Sequence, residues 1–458
     1  MKHFRFLASL LVVFVAVLCF APAAWAFCGF YVAKADAKLY NKTSQVVMAR
    51  SGDRTVLTMA NDFQGPAKDF AIVIPVPTVL QKEQVRVAEP KIIERLDAFS
   101  APRLVEYFDS DPCATAYENV MPSAAPNLGA SRLSETKQRG DRSLGVTIEA
   151  RFNVGEYDIL ILSAKESGGL ETWLNRNGYK IPKGAKQLLK PYIRSSMKFF
   201  VAKVNLDKFE ASGYQLLRPL QISYKSPKFM LPIRLGMINA TTEQDLIVYI
   251  LSPKGFSEIT NYRTVKIPSN ANIPIFVKNE FGEFYKSLFQ NSYVKEDRKV
   301  GFVEYAWDMS SCDPCSAEPL TPEELKQAGV FWQDNNPTWD SSAPPGFPRP
   351  LPTSNVFITR LHVRYTRDKF PEDPMFQETA NRESFQGRYI LQHPFTGTLK
   401  CQAGREYKRS LPQRFEQEAQ TLAKLTNWKI QDIRQKMKLT TPYQANSWWE
   451  NLISWLGL

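Results

Sequence analysis

The chain has 458 residues, 44% of them hydrophobic and 23% charged, with a formal net charge of +12. That length and apolar share exclude a disordered tail or a small peptide held only by disulfides, and predict one large or two ordinary domains with a real core. Lys and Arg are interspersed with Asp and Glu rather than blocked, which argues for a solvated surface and against a nucleic-acid track.

Residues 1–26 read as a signal peptide. Lys2, His3 and Arg5 form a basic start, an apolar run broken only by Ser9 follows to Phe20, and Ala24–Trp25–Ala26 supplies small residues for cleavage. Removing Lys2 and Arg5 lowers the charge from +12 to +10, and Cys19 goes with the leader. No small-residue lipobox precedes Cys19 or Cys28, so a lipoprotein is not expected. The mature protein is expected to be exported, to the periplasm or the exterior. There Cys28, Cys113, Cys312, Cys315 and Cys401 meet an oxidising compartment as structural thiols, an odd set whose connectivity the sequence leaves open.

Residues 27–113 form an N-terminal β-rich part. Two strands flank Ser51–Gly52–Asp53 as a hairpin, and the apolar run 70–74 predicts a strand buried on both faces and ended by Pro75 and Pro77. The spacing of Ile92, Ile93 and Leu96, then of Leu104, Tyr107 and Phe108, predicts short helices over 91–99 and 102–108. Residues 114–144, with Pro122, Pro126, Gly129 and Gly140 and no apolar period, read as a flexible insertion.

Residues 145–410 are the main α+β part. Val146, Ile148, Ala150, Phe152 and Val154 alternate with polar residues, and Gly155–Glu156 turns this strand into a second over 157–162. Helices are expected around Leu170, Trp173 and Leu174, stopped by Gly178, and around Leu188, Leu189 and Tyr192. Strands follow at 199–204, 220–224, 229–235 and 246–251, then a helix through Phe281, Phe284 and Leu288, then a strand over 301–307. Thr321–Pro322–Glu323–Glu324 is a helix start with a capping box, and Gly329 ends that helix. Residues 335–355 are a proline-rich loop, followed by strands at 356–365 and 388–392.

Residues 411–458 are a helical C-terminal segment, read from Pro412 onward. Its end presents Trp448, Trp449, Leu452, Trp455 and Leu456 at helical spacing, suited to a membrane interface, a partner groove or the protein's own core. The fold expected is α+β, with mostly antiparallel sheets, short helices and this helical end.

Cys312–Asp313–Pro314–Cys315 is the one candidate reactive motif. Thiol–disulfide exchange uses such a turn, but here Asp313 raises a thiolate's pKa and the next helix starts only at Thr321. Zinc needs a second close pair, which the single Cys28, Cys113 and Cys401 do not supply. His362, in Arg360–Leu361–His362–Val363–Arg364, shares a face with two cations and reads as a surface strand residue, as does His393. The carboxylate pairs Glu304 with Asp308, and Glu149 with Glu156, are weak pointers to a hydrolase. No phosphate-cradling loop, serine elbow or zinc-protease helix is present, so no metal or cofactor is expected.

Several stretches together resemble a secreted bacterial family, the domain of unknown function numbered twenty-three thirty. They are Phe27–Cys28–Gly29–Phe30–Tyr31–Val32, Asp69–Phe70–Ala71–Ile72–Val73–Ile74–Pro75–Val76–Pro77, Ala101–Pro102–Arg103–Leu104–Val105–Glu106–Tyr107–Phe108, Trp307–Asp308, the Cys312–Cys315 motif and Phe385–Gln386–Gly387–Arg388–Tyr389. The resemblance runs over about 27–437, implies an exported bacterial protein with this cysteine set, and carries no catalytic residue. The function expected is a non-enzymatic envelope or secreted protein binding an unknown protein partner or envelope surface. The alternative is a periplasmic thiol–disulfide protein using Cys312 and Cys315.

Overall fold

A computed structural model describes residues 30–33, 40–41, 44–60, 63–64, 70–114, 146–177, 184–212, 217–238, 243–311, 313, 316–333 and 355–439. The expectations for the leader, for Cys28, Cys312 and Cys315, for nearly all of the insertion and the proline-rich loop, for Gly178 and for the tryptophan-bearing end lie outside the described residues. The chain divides into two compact units: residues up to Ser100 with Asp141–Val265 and Arg298–Ser384, and Ala101–Gly140 with Lys266–Asp297 and Phe385 onward. The fold class is α+β with mostly antiparallel strands and a helical C-terminal segment.

In the first unit the hairpin at Gly52 forms, Ser44–Ser51 pairing antiparallel with Arg54–Ala60, and Gly52 takes φ +60°, where a residue without Cβ loses least. The pair lies within a large sheet whose order is Val300–Asp308, Phe357–Tyr365, Gln244–Ser252, Ser44–Ser51, Arg54–Ala60, Leu220–Lys225, Val85–Val87. Of these pairings only Gln244–Ser252 with Ser44–Ser51 is parallel. One face of the sheet, through Val47, Ala49, Tyr249, Tyr305 and Ile358, buries Ile92, Ile93, Leu96 and Phe99 of the helix Lys91–Ser100 and Leu325 of the helix Pro322–Gln327. Each such side chain taken from water contributes about 1.5–3 kcal/mol before entropy is counted. The capping box at Thr321 has both its arms, and Gly329 ends the helix at φ +101°. A Cβ at Gly329 would lie 2.6 Å from Val56 Cγ1, so both the turn and the close approach require glycine.

The same unit holds a five-stranded antiparallel sheet ordered Phe30–Ala33, Phe70–Val76, Lys198–Val204, Tyr157–Ala164, Val146–Val154. Ala71, Ile72, Val73 and Ile74 are fully buried, as their unbroken apolar run requires. Pro75 does not end the strand: it stands opposite Phe199, where the neighbour Phe30–Ala33 pairs only as far as Val73. A proline lacks one ladder donor and is tolerated where only one side is paired. Helices Ser167–Arg176 and Ala185–Arg194 close the sheet with Leu170, Leu174, Leu189 and Tyr192 against Ala71, Val73, Phe199 and Val201.

The strand expected at 229–235 is absent. A single bridge joins Met230 to Met375, and a tight turn of helix, Arg234–Ile238, follows. The Asp373 carboxylate accepts from the backbone N–H groups of Ile233 and Arg234 at 2.8 and 3.1 Å, taking the donors a ladder would need.

In the second unit, residues expected as a helix over 102–108 form the strand Arg103–Phe108, parallel to Arg388–His393, which is itself parallel to Ala271–Asn272. Only Val105 among them is buried, and Phe108 is 72% exposed, so the Leu104, Tyr107 and Phe108 spacing marks no buried face and pairing decides the conformation. The helix Phe281–Lys295 packs on Gln402–Thr426, which starts well before Pro412 and carries that proline inside it. The start is set by Cys401, whose sulfur accepts the Gly404 N–H at 3.1 Å and is bonded to Cys113 across 288 residues of sequence.

A crosslink spanning so long a loop contributes about 2–5 kcal/mol. Reduction should therefore lower the denaturant midpoint of the wild type, while a Cys113→Ser, Cys401→Ser double variant should start lower by that amount and lose most of its response to reductant. Denaturant titrations with and without dithiothreitol measure this, and a double variant as stable as the oxidised protein would deny the crosslink any role.

Candidate functional site

The strand Val300–Asp308 is apolar up to its terminal Asp308 except for Glu304, which is 1% exposed. Its pairing with Phe357–Tyr365 explains how that carboxylate is tolerated. Phe302 faces His362 and Val303 faces Leu361, but the next paired residue is Tyr305, facing Arg360, so Glu304 is the extra residue of a β-bulge. Bulges re-aim side chains. Here the Glu304 carboxylate reaches Arg360 Nε at 2.6 Å and His362 Nδ1 at 2.7 Å.

These contacts belong to a chain of alternating charges. Asp97 on the helix Lys91–Ser100 accepts from Arg360 Nη1 at 2.6 Å and from the Tyr249 hydroxyl at 2.9 Å. His362 Nε2 lies 3.1 Å from Asp245 Oδ1, and Asp245 accepts from Arg364 Nε and Nη2 at 2.7 and 2.8 Å. Burial works against a charged imidazole, but the Glu304 and Asp245 carboxylates outweigh it and raise the His362 pKa. Burial likewise opposes the Asp245 carboxylate, and hydrogen bonds from His362 and Arg364 overcome it, holding Asp245 well below the usual carboxylate range.

His362 is therefore not the surface residue its neighbours Arg360 and Arg364 imply. Its side chain is 12% exposed, and carboxylates from both flanking strands reverse the repulsion of the two cations. With both nitrogens committed it offers no lone pair for a base or a metal. His393 is half-buried too, stacked on Phe108 at 4.5 Å, with Nε2 2.8 Å from Glu106 Oε2.

The other carboxylates do not converge as pairs. Asp308 binds Arg382 at 2.7 Å, Glu156 is buried against Arg218 at 2.8 Å, and Glu149 accepts from Ser163. Of the Cys312–Cys315 turn only Asp313 is described: it is 3% exposed and accepts from the Tyr305 hydroxyl at 2.9 Å. Of the structural thiols, Cys113 and Cys401 are paired in the second unit. Among the described residues there is no group of three or more His, Cys, Asp or Glu able to hold a metal ion, and no helix long and apolar enough to cross a membrane.

The first unit also carries an open cleft of about 570 Å³ beside the helix Pro322–Gln327, with Val56 and Val330 of the core at its base. Arg54, Arg86 and Phe331 line it. Sequence reading missed these residues, as it missed Asp245 and Asp97. A lone carboxylate inside the apolar strand Val300–Asp308 was the available signal for the charge chain; scattered arginines signal nothing by themselves.

A second buried carboxylate group lies in the other unit. Asp109 accepts from Gln392, Tyr407 and Arg414, and Arg414 Nε is only 3.6 Å from Glu418 Oε1. Burial pushes Glu418 up to about 7, Arg414 notwithstanding.

Residues 22–377 match the model of a family described as "Uncharacterized protein conserved in bacteria (DUF2330)", and the chain belongs to that family. The match ends before Phe385–Gln386–Gly387–Arg388–Tyr389, short of the 27–437 span of the resemblance. No curated protein and no solved structure matches the chain.

Glu304→Ala should cost about 3–5 kcal/mol, since it leaves Arg360 and His362 buried beside an uncompensated gap. Chemical denaturation at pH 6 reads this, and a loss below about 1 kcal/mol would mean the chain of charges is not coupled. The raised His362 pKa adds stability that is fully present below its unfolded value near 6.5 and lost as pH rises through the folded value. The lowered Asp245 pKa adds stability present above about 3.9 and lost as pH falls. The thermal midpoint should thus peak between these limits, and His362→Phe should flatten the alkaline side of the profile. Glu418 has the opposite sign: its raised pKa penalises the fold as pH climbs from about 4.3 through about 7. Glu418→Gln should therefore be stabilising by about 1–2 kcal/mol at pH 8 and near neutral at pH 4, an expectation that equal effects at both pH values would refute.

Proposed function

We propose that the protein is exported and acts outside the cytoplasm as a disulfide-braced, non-enzymatic binding protein of the bacterial envelope. The observation that carries this reading is the Cys113–Cys401 disulfide, a bond that persists in oxidising compartments and is rare in the cytosol. The leader pattern of residues 1–26 agrees with it. His362, whose two nitrogens are each held by a carboxylate, supports a structural and not a catalytic use of the buried charges. The partner is a protein or an envelope surface, with the Trp448, Trp449, Leu452, Trp455 and Leu456 segment a candidate contact.

The thiol–disulfide alternative draws little from Asp313. A buried carboxylate between the two cysteines in sequence opposes the thiolate form that exchange requires. Expression with the native leader, followed by cell fractionation and non-reducing peptide mapping, tests the reading. A mature chain beginning at Phe27, found outside the cytosol with Cys113 joined to Cys401, is the expected result. Full-length chain in the cytosol with both thiols open to alkylation would overturn it.

A further inference from the structure

The cleft beside the helix Pro322–Gln327 has a chemistry that the charge chain does not use. Arg54 donates Nε to Ser223 Oγ at 3.2 Å and lies over the Phe331 ring, 4.3 Å from its centroid. Arg86 donates Nε to the Gln221 side-chain oxygen and Nη2 to the Lys326 carbonyl at 3.2 Å. All of these acceptors are neutral. Among the described residues neither Arg54 nor Arg86 has a carboxylate partner, although Glu83 and Glu323 stand on the same rim. Four other guanidinium groups of this unit are matched by carboxylates, Arg95 with Glu324, Arg218 with Glu156, Arg360 with Glu304 and Arg364 with Asp245, while Arg50, which also meets only neutral acceptors, is buried at 4% exposure and lies away from the cleft. Desolvation lowers the Arg86 pKa with no anion to offset it.

Two arginines held by neutral acceptors, one of them over an aromatic ring, put two positive guanidinium groups beside a planar apolar surface, the pairing that suits an oxyanion on an apolar body. The volume, about 570 Å³, is of the size that holds a small organic molecule. We propose that this cleft binds a small organic oxyanion, a carboxylate or phosphate carried on a flat apolar body, with Arg54 and Arg86 on the anion and Phe331 against the body. The proposal rests on the reading of the protein as a binder and names the ligand class for it.

The test is isothermal titration of the purified mature chain with phenyl phosphate, benzoate, inorganic phosphate and benzyl alcohol. Phenyl phosphate or benzoate should bind at one site with a dissociation constant below about 1 mM. Which of them binds more tightly tells phosphate from carboxylate. Inorganic phosphate and benzyl alcohol, each lacking one half of the chemistry, should bind at least about tenfold more weakly. Arg54→Gln and Arg86→Gln should each weaken binding by roughly tenfold or more with unchanged circular dichroism and thermal midpoint, whereas Lys286→Gln, at an exposed side chain of the other unit, should not. The proposal falls if neither aryl anion binds saturably, if inorganic phosphate binds as tightly as phenyl phosphate, or if the two arginine variants bind like the wild type. Such a failure leaves export and the disulfide untouched, since those are read from fractionation and peptide mapping.

Discussion

One carboxylate, Glu304, holds the large sheet of the first unit in register. It is buried in a strand of apolar residues, and an isolated charge there would cost several kilocalories per mole. The bulge between Val303 and Tyr305 turns it onto Arg360 and His362 of the next strand, and His362 carries the alternation on to Asp245 and Arg364. Three strands and the helix bearing Asp97 are thus linked by ionic contacts that fit only one alignment. A slip of one residue would send Arg360, His362 and Arg364 to the other face and strand Glu304 without partners. The arrangement specifies a single pairing at least as much as it adds stability, because pairing buried charges roughly offsets the cost of desolvating them.

The same commitment of groups shapes the functional reading. A histidine between two carboxylates can look like catalytic machinery, yet here each nitrogen already has its acceptor and the neighbouring arginines complete the balance of charge. Tyr305, next to the bulge, holds Asp313 and so fixes one residue of the cysteine turn to the sheet. Arg54 and Arg86, by contrast, meet only neutral acceptors among the described residues, in an open cleft where solvent or a ligand can reach them.

Much of this was legible in the residues themselves. The hairpin at Gly52, the buried strand through Ala71–Ile74, the Val146–Val154 strand and the capped helix at Thr321 follow from local chemistry, and the structure has each of them. The errors came where distant residues decide. Phe108 and Tyr107 look helical by spacing, but Arg388–His393 offers a strand to pair with. Ile233 loses its ladder to the Asp373 carboxylate, which lies 140 residues away in sequence. Pro412 looks like a helix start, but the Cys401 cap and its disulfide set the start earlier. His362 was misjudged because charges on its own strand are visible in sequence, while the carboxylates facing it come from other strands and, for Glu304, through a bulge that no periodicity announces.

Glu304 and Asp245 keep His362 as an imidazolium within the sheet. Nitrogen-15 and carbon-13 NMR of selectively labelled histidine measures this directly, since the full chain has only three histidines. His362 should show both nitrogens protonated at pH 6.5 and titrate above the ordinary imidazole range, and Glu304→Gln should lower that titration. A His362 that is a neutral tautomer at pH 6.5, or that titrates like a free imidazole with Glu304 in place, would contradict this.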